Sequence, residues 1–139
     1  MPEIFESKSE KETEDTAYNL ARENKIKSGD IIALNGELGA GKTAFTRGFT
    51  RFFSPDSRVS SPTFSIVNQY KNIFHFDMYR INGEDDLLSI GFFDYLDKNG
   101  IIIIEWFEKI QEFFDEQTVA VDIIKSDVNS RRIIFKRIK

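Results

Sequence analysis

A strand, a glycine loop and a helix follow one another in the first half of the chain, and this succession narrows the folds that the chain can adopt. Residues 31 to 34 form a short apolar run, IIAL, which is typical of a buried strand. Residues 36 to 43 read GELGAGKT and match G-x-x-x-x-G-K-S/T at every fixed position. Phenylalanines then recur at a helical spacing up to residue 53, just before Pro55, which predicts an amphipathic helix.

The glycine loop has the chemistry of a phosphate cradle. Its glycines let the backbone adopt positive φ and bring N–H groups against phosphate oxygens, and the positive end of the following helix favours the same anion. We therefore predict that Lys42 bridges the β- and γ-phosphates of a nucleotide and that the Thr43 hydroxyl ligates Mg²⁺. The alternative, an ordinary glycine-rich turn, is disfavoured by the strand and the helix on either side.

The rest of the chain alternates helical and strand-like segments. The capping-box pair Ser9 and Glu12 predicts a helix over residues 9 to 24. Further strands are predicted at residues 64 to 70 and 73 to 79, joined as a hairpin by Lys71-Asn72, at residues 101 to 104, and at residues 119 to 124 and 132 to 138 as an antiparallel pair. We therefore predict an α/β protein of P-loop NTPase fold, with a central, mostly parallel sheet flanked by helices and an antiparallel edge. The length of 139 residues suits one domain over residues 1–139.

Composition excludes several classes of protein. The chain has no cysteine, so it has neither disulfides nor thiolate metal sites, and its net charge of −4 argues against a dedicated nucleic-acid binder. The first fifteen residues lack an apolar run after a basic start, and the longest purely apolar stretch, residues 101 to 104, is far too short to span a membrane. We expect a cytoplasmic protein with no membrane partner.

Two carboxylates follow apolar runs and could complete a nucleotide site. Glu105 ends the run IIII, in the place of the Mg²⁺-binding acid of a P-loop protein. Asp77 lies in FHFDM, where alternation puts it on the same strand face as His75. The alternative for either acid is a solvated or ion-paired strand end. We interpret His75 as a structural residue, whereas Trp106, directly after Glu105, has an open role.

The segment SSPTF, residues 60 to 64, lies between the loop helix and Asp77. Its hydroxyls around a proline suit a switch that senses the γ-phosphate, although a plain polar turn fits equally well. The only approach to a guanine-reading N-K-x-D motif is IKSD, residues 124 to 127, which has Ile124 in place of the amide. The sequence therefore favours ATP over GTP.

These motifs together resemble a known family. SEKET, GELGAGKT, SPTF, HFDMYR and a strand ending in EW occur in the order found in the TsaE (YjeE) family, over nearly the whole chain, from about Ser9 to Arg132. Members of this family are bacterial P-loop ATPases that serve the biosynthesis of threonylcarbamoyladenosine beside the anticodon of tRNA. The resemblance implies the same fold and an ATPase activity that uses Mg²⁺.

The resemblance also implies a role for individual residues. The phosphate-holding residues would be Glu37, Leu38, Gly39, Ala40, Gly41, Lys42 and Thr43. Thr43, Glu105 and Asp77 would serve the metal, and Asp77, Lys42 and Glu105 would be the catalytic set. The other nucleotide-binding positions would be Glu12 and Thr13 near the adenine and ribose, Thr63 in the switch-like segment, Trp106 beside the nucleotide, and Arg131.

The family acts with two partner proteins, the TsaB and TsaD components, and it meets tRNA only through that complex. The leading hypothesis is therefore an ATPase whose nucleotide cycle drives a partner complex in tRNA modification. A small-molecule kinase is one alternative, but it would need closing arginines, and no arginine-rich segment follows residue 80 until the C-terminus. The other alternative is a switch protein that binds ATP without hydrolysing it.

Overall fold

The computed structural model of the chain describes residues 2–37, 39–63 and 65–139. The strands within these residues are β1 (Glu3–Ser7), β2 (Ile31–Asn35), β3 (Val67–Tyr70), β4 (Ile73–Asp77), β5 (Ile101–Glu105), β6 (Val119–Lys125) and β7 (Arg131–Arg137). The α-helices are α1 (Glu10–Arg22), α2 (Lys42–Phe53), α3 (Glu84–Ser89) and α4 (Phe92–Tyr95), and a 3₁₀ turn covers Phe107–Lys109. None of the described helices is long and apolar enough to cross a membrane.

All seven strands belong to one sheet, in the order β1-β7-β6-β2-β5-β4-β3. The four central strands, β6, β2, β5 and β4, pair in parallel, whereas β3 at one edge and β7 and β1 at the other pair antiparallel. The predicted α/β class, with a parallel centre and an antiparallel edge, is confirmed. Every residue of β4 and β5 is buried, as expected for parallel strands covered on both faces.

Alternate residues of the central strands face two separate apolar clusters. Ile101 and Ile103 of β5 pack with residues of α1 and α2, and Ile102 and Ile104 pack with Phe92 of α4 on the other side. The sheet therefore lies between a layer made by α1 and α2 and a layer made by α3, α4 and the 3₁₀ turn. The helix that follows the glycine loop is α2, so the loop leads into the first of these layers.

The same alternation orients the polar residues of β4. Ile73 packs on the side of α1 and α2, whereas Phe74, Phe76 and Met78 belong to the opposite cluster. Side chains two residues apart share a face, so the positions that follow Ile73 at this spacing, 75 and 77, lie on the α1–α2 side. The predicted separation of polar and apolar faces in this strand is thus found in the fold.

The sequence patterns predicted α1, α2 and six of the seven described strands, and missed β1, α3 and α4. The helix expected over residues 9 to 24 is α1, capped by Ser9, whose side chain accepts a hydrogen bond from the Glu12 N–H at 3.0 Å. The two predicted hairpin runs form β3 and β4, both shorter than expected, and the first position of the expected run, Phe64, lies outside the described residues. Strand β1 and the short helices α3 and α4 had no clear sequence signal.

Helices α1 and α2 touch through their backbones at Gly48. A Cβ placed on Gly48 would lie 1.9 Å from the carbonyl oxygen of Glu14, which is far inside any allowed contact. Only glycine lets the two helices approach this closely. Since α2 carries the end of the glycine loop, this contact also fixes where the loop sits above the sheet.

Gly48→Ala should destabilise the fold by about 3 kcal/mol, because forced overpacking outweighs the gain of about 1 kcal/mol that alanine usually brings inside a helix. The midpoint and slope of urea unfolding measure this change. Gly83→Ala is the matched control, since a Cβ at Gly83 meets nothing within 4 Å. Equal unfolding midpoints for the two variants would contradict the backbone contact.

Asp30 ties the opposite end of the sheet together. Its buried carboxylate accepts hydrogen bonds from the Lys27 N–H at 2.8 Å, from the Thr118 hydroxyl at 2.9 Å and from the Arg137 guanidinium at 2.9 Å. Burial alone would raise the pKa of the Asp30 carboxyl, but these hydrogen bonds and the charge of Arg137 outweigh it and hold the pKa below its ordinary value. The end of β7 is thereby fastened to the turn that precedes β2.

Asp30→Asn should lower the free energy of unfolding at neutral pH by about 2 kcal/mol, since it removes a charge-assisted network in a buried place. Because the folded pKa is lowered, the stabilisation is fully present above the unfolded value of 3.8 and is lost as pH falls through the folded pKa. The gap between wild type and variant should therefore shrink below that pH in a urea series.

Asp15→Asn, which alters surface ion pairs with Lys11 of α1 and Arg51 of α2, serves as the control and should have a smaller effect. A gap between wild type and Asp30→Asn that stays constant down to pH 2 would show that the Asp30 charge adds nothing to stability.

Candidate nucleotide site

The carboxyl ends of three parallel strands meet at one edge of the sheet. In the parallel register, Leu34 of β2 and Asp77 of β4 both lie level with Glu105 of β5. The glycine loop leaves β2 at this edge, and ligands of open α/β sheets bind outside the carboxyl ends of the strands. The two acids predicted from sequence are therefore brought beside the loop.

The loop holds backbone conformations that only glycine adopts readily. Gly39 has φ +80° and Gly41 has φ +111°, and Gly41 is the N-cap of α2, which starts at Lys42. Because glycine has no side chain to cap the helix, the first N–H groups of α2 are left for a ligand or water. Such an end is suited to an anion.

Arg131 holds the loop from the side of β7. Its Nε donates to the Ala40 carbonyl at 2.8 Å, and one terminal nitrogen donates to the Gly39 carbonyl at 3.1 Å. In a trans peptide the N–H points away from the carbonyl, so the N–H of Gly41 is directed away from Arg131. Arg131, which was predicted to contact the nucleotide, thus orients the loop whose N–H groups would bind the phosphates.

Glu105 is buried between two polar partners. Its Oε1 lies 3.5 Å from the Lys42 ammonium, and its Oε2 lies 2.6 Å from Nε2 of His75. Burial alone would raise the pKa of Glu105, but the hydrogen bond from His75 and the charge of Lys42 outweigh it and lower the pKa. Glu105 is therefore a carboxylate, held in place on both oxygens.

His75 is buried, as expected of a structural residue, and in addition it contacts a site acid. The sequence analysis gave it a structural role, and the structure brings its fully buried ring onto Glu105. No hydrogen-bond partner for its Nδ1 exists among the described atoms. The signal in the sequence was its position two residues before Asp77, on the same face of β4, but that spacing does not say which acid it meets.

Asp77 is bound to the predicted switch segment. Its Oδ2 accepts a hydrogen bond from the Thr63 hydroxyl at 3.1 Å, and its Oδ1 accepts one from the Tyr79 N–H at 3.0 Å. Ser61 lies 2.7 Å from the same Thr63 hydroxyl. The segment expected to sense a phosphate therefore contacts a site carboxylate directly.

Trp106 is a half-exposed ring at the mouth of the site. It has φ +61°, an uncommon conformation for a large side chain and one that is often found at functional sites. Its ring packs at an interplanar angle of 55° against the Tyr79 ring, with the centroids 4.9 Å apart, and lies 5.8 Å from the Lys42 ammonium. Trp106 and Glu105, which are adjacent in the chain, thus both lie close to the Lys42 ammonium.

These groups line a cleft of about 700 Å³. The predicted residues on its wall are Thr13, Gly39, Gly41, Lys42, Thr43, Thr63, Asp77, Glu105, Trp106 and Arg131. Other lining residues were outside the set predicted to bind the nucleotide or the metal: Lys8, Ser9, Glu10, Ala44, Arg47, Ser61, Val128 and Asn129. They come from the start of α1, from α2, from the segment before β3 and from the β6–β7 turn, which only the three-dimensional fold brings together.

Some of the predicted residues lie off the cleft wall. Glu12, Glu37 and Ala40 are not among the lining residues, and Leu38 lies outside the described residues. Glu12 instead accepts a hydrogen bond from the Lys8 N–H at 2.9 Å as part of the α1 cap. This capping role accounts for its position off the wall, whereas its neighbour Thr13 lies on the wall.

The donor set suits a magnesium ion only together with phosphate. Within the described parts of the chain, no group of three or more acids and histidines is close enough to hold a metal alone. Magnesium is usually bound through one or two protein oxygens, with phosphate oxygens and water completing the shell. Thr43, Glu105 and Asp77 line the same cleft as the loop and offer oxygens of this kind.

The fold and the loop place the chain in the P-loop class of α/β proteins. The profile of a family described as "Threonylcarbamoyl adenosine biosynthesis protein TsaE" matches residues 7–134. The chain belongs to this TsaE family, which acts in the biosynthesis of threonylcarbamoyladenosine in tRNA.

Individual relatives agree with this assignment. The chain is 38% identical over 134 residues to the "tRNA threonylcarbamoyladenosine biosynthesis protein TsaE" of Rickettsia typhi, covering 93% of this chain and 91% of that protein. It is 34% identical to the protein of the same name from Bacillus subtilis, over 78% of this chain and 70% of that one. The crystal structure of Bacillus subtilis YdiB matches with a TM-score of 0.78 at 27% identity, over 100% of this chain and 87% of that chain.

Proposed function

We propose that the chain, as one P-loop domain over residues 1–139, binds and hydrolyses ATP with Mg²⁺ in the cytoplasm. We further propose that it acts with TsaB- and TsaD-like partner proteins to form threonylcarbamoyladenosine next to the anticodon of tRNA, which it meets only through that complex. The observation that carries the proposal is the pair of Lys42, at the start of α2, and Glu105, at the end of β5, next to a loop in which Gly39 and Gly41 have positive φ. Membership of the TsaE family supports the pathway.

ATP binding is proposed through the loop and the start of α2. The Lys42 side chain is only 12% exposed, and among the described residues its ammonium lies 3.5 Å from Glu105 Oε1 and 5.8 Å from the centroid of the Trp106 ring. A buried ammonium of this kind is a point charge suited to phosphate. When a nucleotide binds, its phosphate oxygens would replace Glu105 as the partner of the Lys42 ammonium. The free N–H groups at the start of α2 would bind the same phosphate.

Metal binding is proposed at Thr43 and Glu105, with Asp77 beside them. Magnesium held there would neutralise the charge that develops on the phosphate oxygens. The lowered pKa of Glu105 supports this role, because a ligand carboxylate has to be ionised. Asp77, a carboxylate level with Glu105 in the next strand, would orient the water that attacks or one that the metal binds.

One observation favours the non-hydrolysing switch as a second candidate. Both oxygens of Asp77 already accept hydrogen bonds, from Thr63 and from the Tyr79 N–H. Because the segment that carries Thr63 holds one oxygen of Asp77, the orientation of this carboxylate toward a water molecule depends on where the segment lies, and a segment that moves only with a partner would leave ATP bound but not hydrolysed. Partner proteins are the natural agents of such a movement.

The kinase alternative is disfavoured, because Leu87 of α3 and Phe92 of α4 are buried in the cluster on the far face of the sheet and form no lid.

Steady-state phosphate release separates these functions. We would measure it with the chain alone, with TsaB- and TsaD-like partners and tRNA, and with candidate small-molecule acceptors. Release that rises with the partners supports the ATPase, transfer of phosphate to an acceptor supports a kinase, and ATP binding without release supports the switch.

Lys42→Ala should weaken ATP binding by about 10–100-fold, the usual cost of losing charge-assisted contacts to a phosphate. Calorimetric titration with ATP·Mg²⁺ measures the affinity, and thermal melting checks that the variant is folded. Lys11→Ala is the control, since Lys11 is exposed on α1 and paired with Asp15. Wild-type ATP affinity in a folded Lys42→Ala protein would remove the basis for a nucleotide site.

Asp77→Asn and Glu105→Gln should each reduce partner-stimulated turnover by a factor on the order of 10², because each removes one charge that acts mainly in the transition state. Both variants keep the size of the side chain, so we expect them to fold and to bind ATP, more weakly for Glu105→Gln. Asp115→Asn, at an exposed acid bonded to Gln111 and absent from the cleft wall, is the control. Wild-type turnover in both site variants would place neither acid in the reaction.

A further inference from the structure

The contact between His75 and Glu105 joins two central strands inside the protein. His75 pairs with Ile103 in the parallel register, so Glu105 lies two residues further along β5, on the same face of the sheet. The distance from His75 Nε2 to Glu105 Oε2 is 2.6 Å, short for a hydrogen bond, and the His75 side chain is fully buried. Imidazole and carboxylate therefore meet away from solvent, beside the cleft.

We propose that His75 is a positioning residue that donates its Nε2–H to Glu105 and so holds the other carboxylate oxygen toward Lys42 and the cleft. The inference rests on the proposed function and deepens it, because it assigns a task to a residue outside the set that would touch the nucleotide. His75 is not among the residues that line the cleft. Its effect would pass through Glu105.

The hydrogen-bond network assigns the proton of the imidazole. Oε1 of Glu105 faces the Lys42 ammonium at 3.5 Å, which suits a carboxylate, and a carboxylate can only accept, so the ring donates at Nε2. Nδ1 has no partner among the described atoms, and a buried N–H left without an acceptor is costly. A proton on Nε2 and a lone pair on Nδ1 account for both nitrogens.

The contact between His75 and Glu105 would matter most when the Lys42 ammonium turns from Glu105 to a bound phosphate. Glu105 has its two side-chain partners on different oxygens, Lys42 on Oε1 and His75 on Oε2. Once the ammonium turns toward a phosphate chain, His75 is the partner that keeps the carboxylate in one rotamer. Residues that hold a metal ligand in this way contribute about 10–100-fold to metal affinity.

Three substitutions of His75 distinguish the effect of a hydrogen-bond donor from the effects of side-chain size and polarity. His75→Gln places an amide N–H near the position of Nε2, and His75→Met has a similar length without a donor. His75→Asn keeps an amide but is one atom too short to reach Glu105. A role that depends on the donor at Nε2 predicts that the Gln substitution preserves function and that the Met and Asn substitutions lose it.

The readout is the gain in ATP affinity that magnesium brings, measured by calorimetry with Mg²⁺ and with EDTA. We expect His75→Met and His75→Asn to lower this gain about tenfold or more, with the affinity in EDTA unchanged, and His75→Gln to retain it. The chain has one tryptophan, so the fluorescence of Trp106, whose ring is 5.8 Å from the Lys42 ammonium, gives an independent signal of binding. Loss of packing alone would lower the melting temperature without changing the ratio of the two affinities.

The wild-type protein supplies a test that needs no variant. His75 is the single histidine of the chain, so nitrogen NMR of the imidazole reports on this ring alone. We expect a slowly exchanging proton on Nε2 and a bare Nδ1. A proton on Nδ1 with a bare Nε2 would overturn the inference, whichever variants fold.

The outcomes for the inference and for the proposed function differ. If His75→Met and His75→Asn keep the wild-type magnesium gain, or if His75→Gln loses as much as they do, the positioning role is wrong and the ATPase proposal stands. If the wild type binds no ATP, or gains nothing from magnesium, the proposed function fails and the inference fails with it.

Discussion

The buried charge of Glu105 is the constraint on which the arrangement of the cleft depends. A carboxylate taken out of water has to find partners, or its burial costs several kcal/mol. Lys42 and His75 supply them from two different elements, the first residue of α2 and the middle of β4. The pairing therefore fixes the start of α2 relative to the ends of β4 and β5. The same charge that stabilises this corner of the fold is the one that a metal ion would use.

The loop is held in place by contacts that lie outside it. Gly48 lets α2 approach α1 to backbone contact, and Arg131 of β7 binds two loop carbonyls. Contacts thus reach the loop from two sides, through α1, which packs on α2, and through β7 in the antiparallel part of the sheet. A phosphate cradle gains from such support, because backbone N–H groups that are already oriented lose little freedom when an anion binds.

Sequence reasoning could predict this site as far as local pattern determines it. The glycine loop, Glu105 and Asp77 each follow an apolar strand, and parallel strands that end together bring such residues to one edge. The pattern could not assign His75 to Glu105, because that contact crosses from β4 to β5 and depends on the register of their pairing. Arg131 is a similar case, since its hydrogen bond to the Ala40 carbonyl joins two residues that are 91 positions apart in the sequence. Strand β1 escaped prediction because an edge strand held by backbone pairing to β7 needs no apolar face of its own.

The two acids of the site differ in their surroundings, and this difference bears on how a nucleotide cycle could be controlled. Glu105 is anchored to the core through His75 and changes little if the surface moves. Asp77 is anchored to the segment that carries Ser61 and Thr63, both exposed on the cleft wall. On the proposed function, the metal acid would therefore be preorganised, whereas the acid that handles water would depend on a surface segment. A partner that binds this segment could change the orientation of Asp77 only by favouring one position of the segment over another. Binding of ATP and its hydrolysis would then be under separate control within one small cleft.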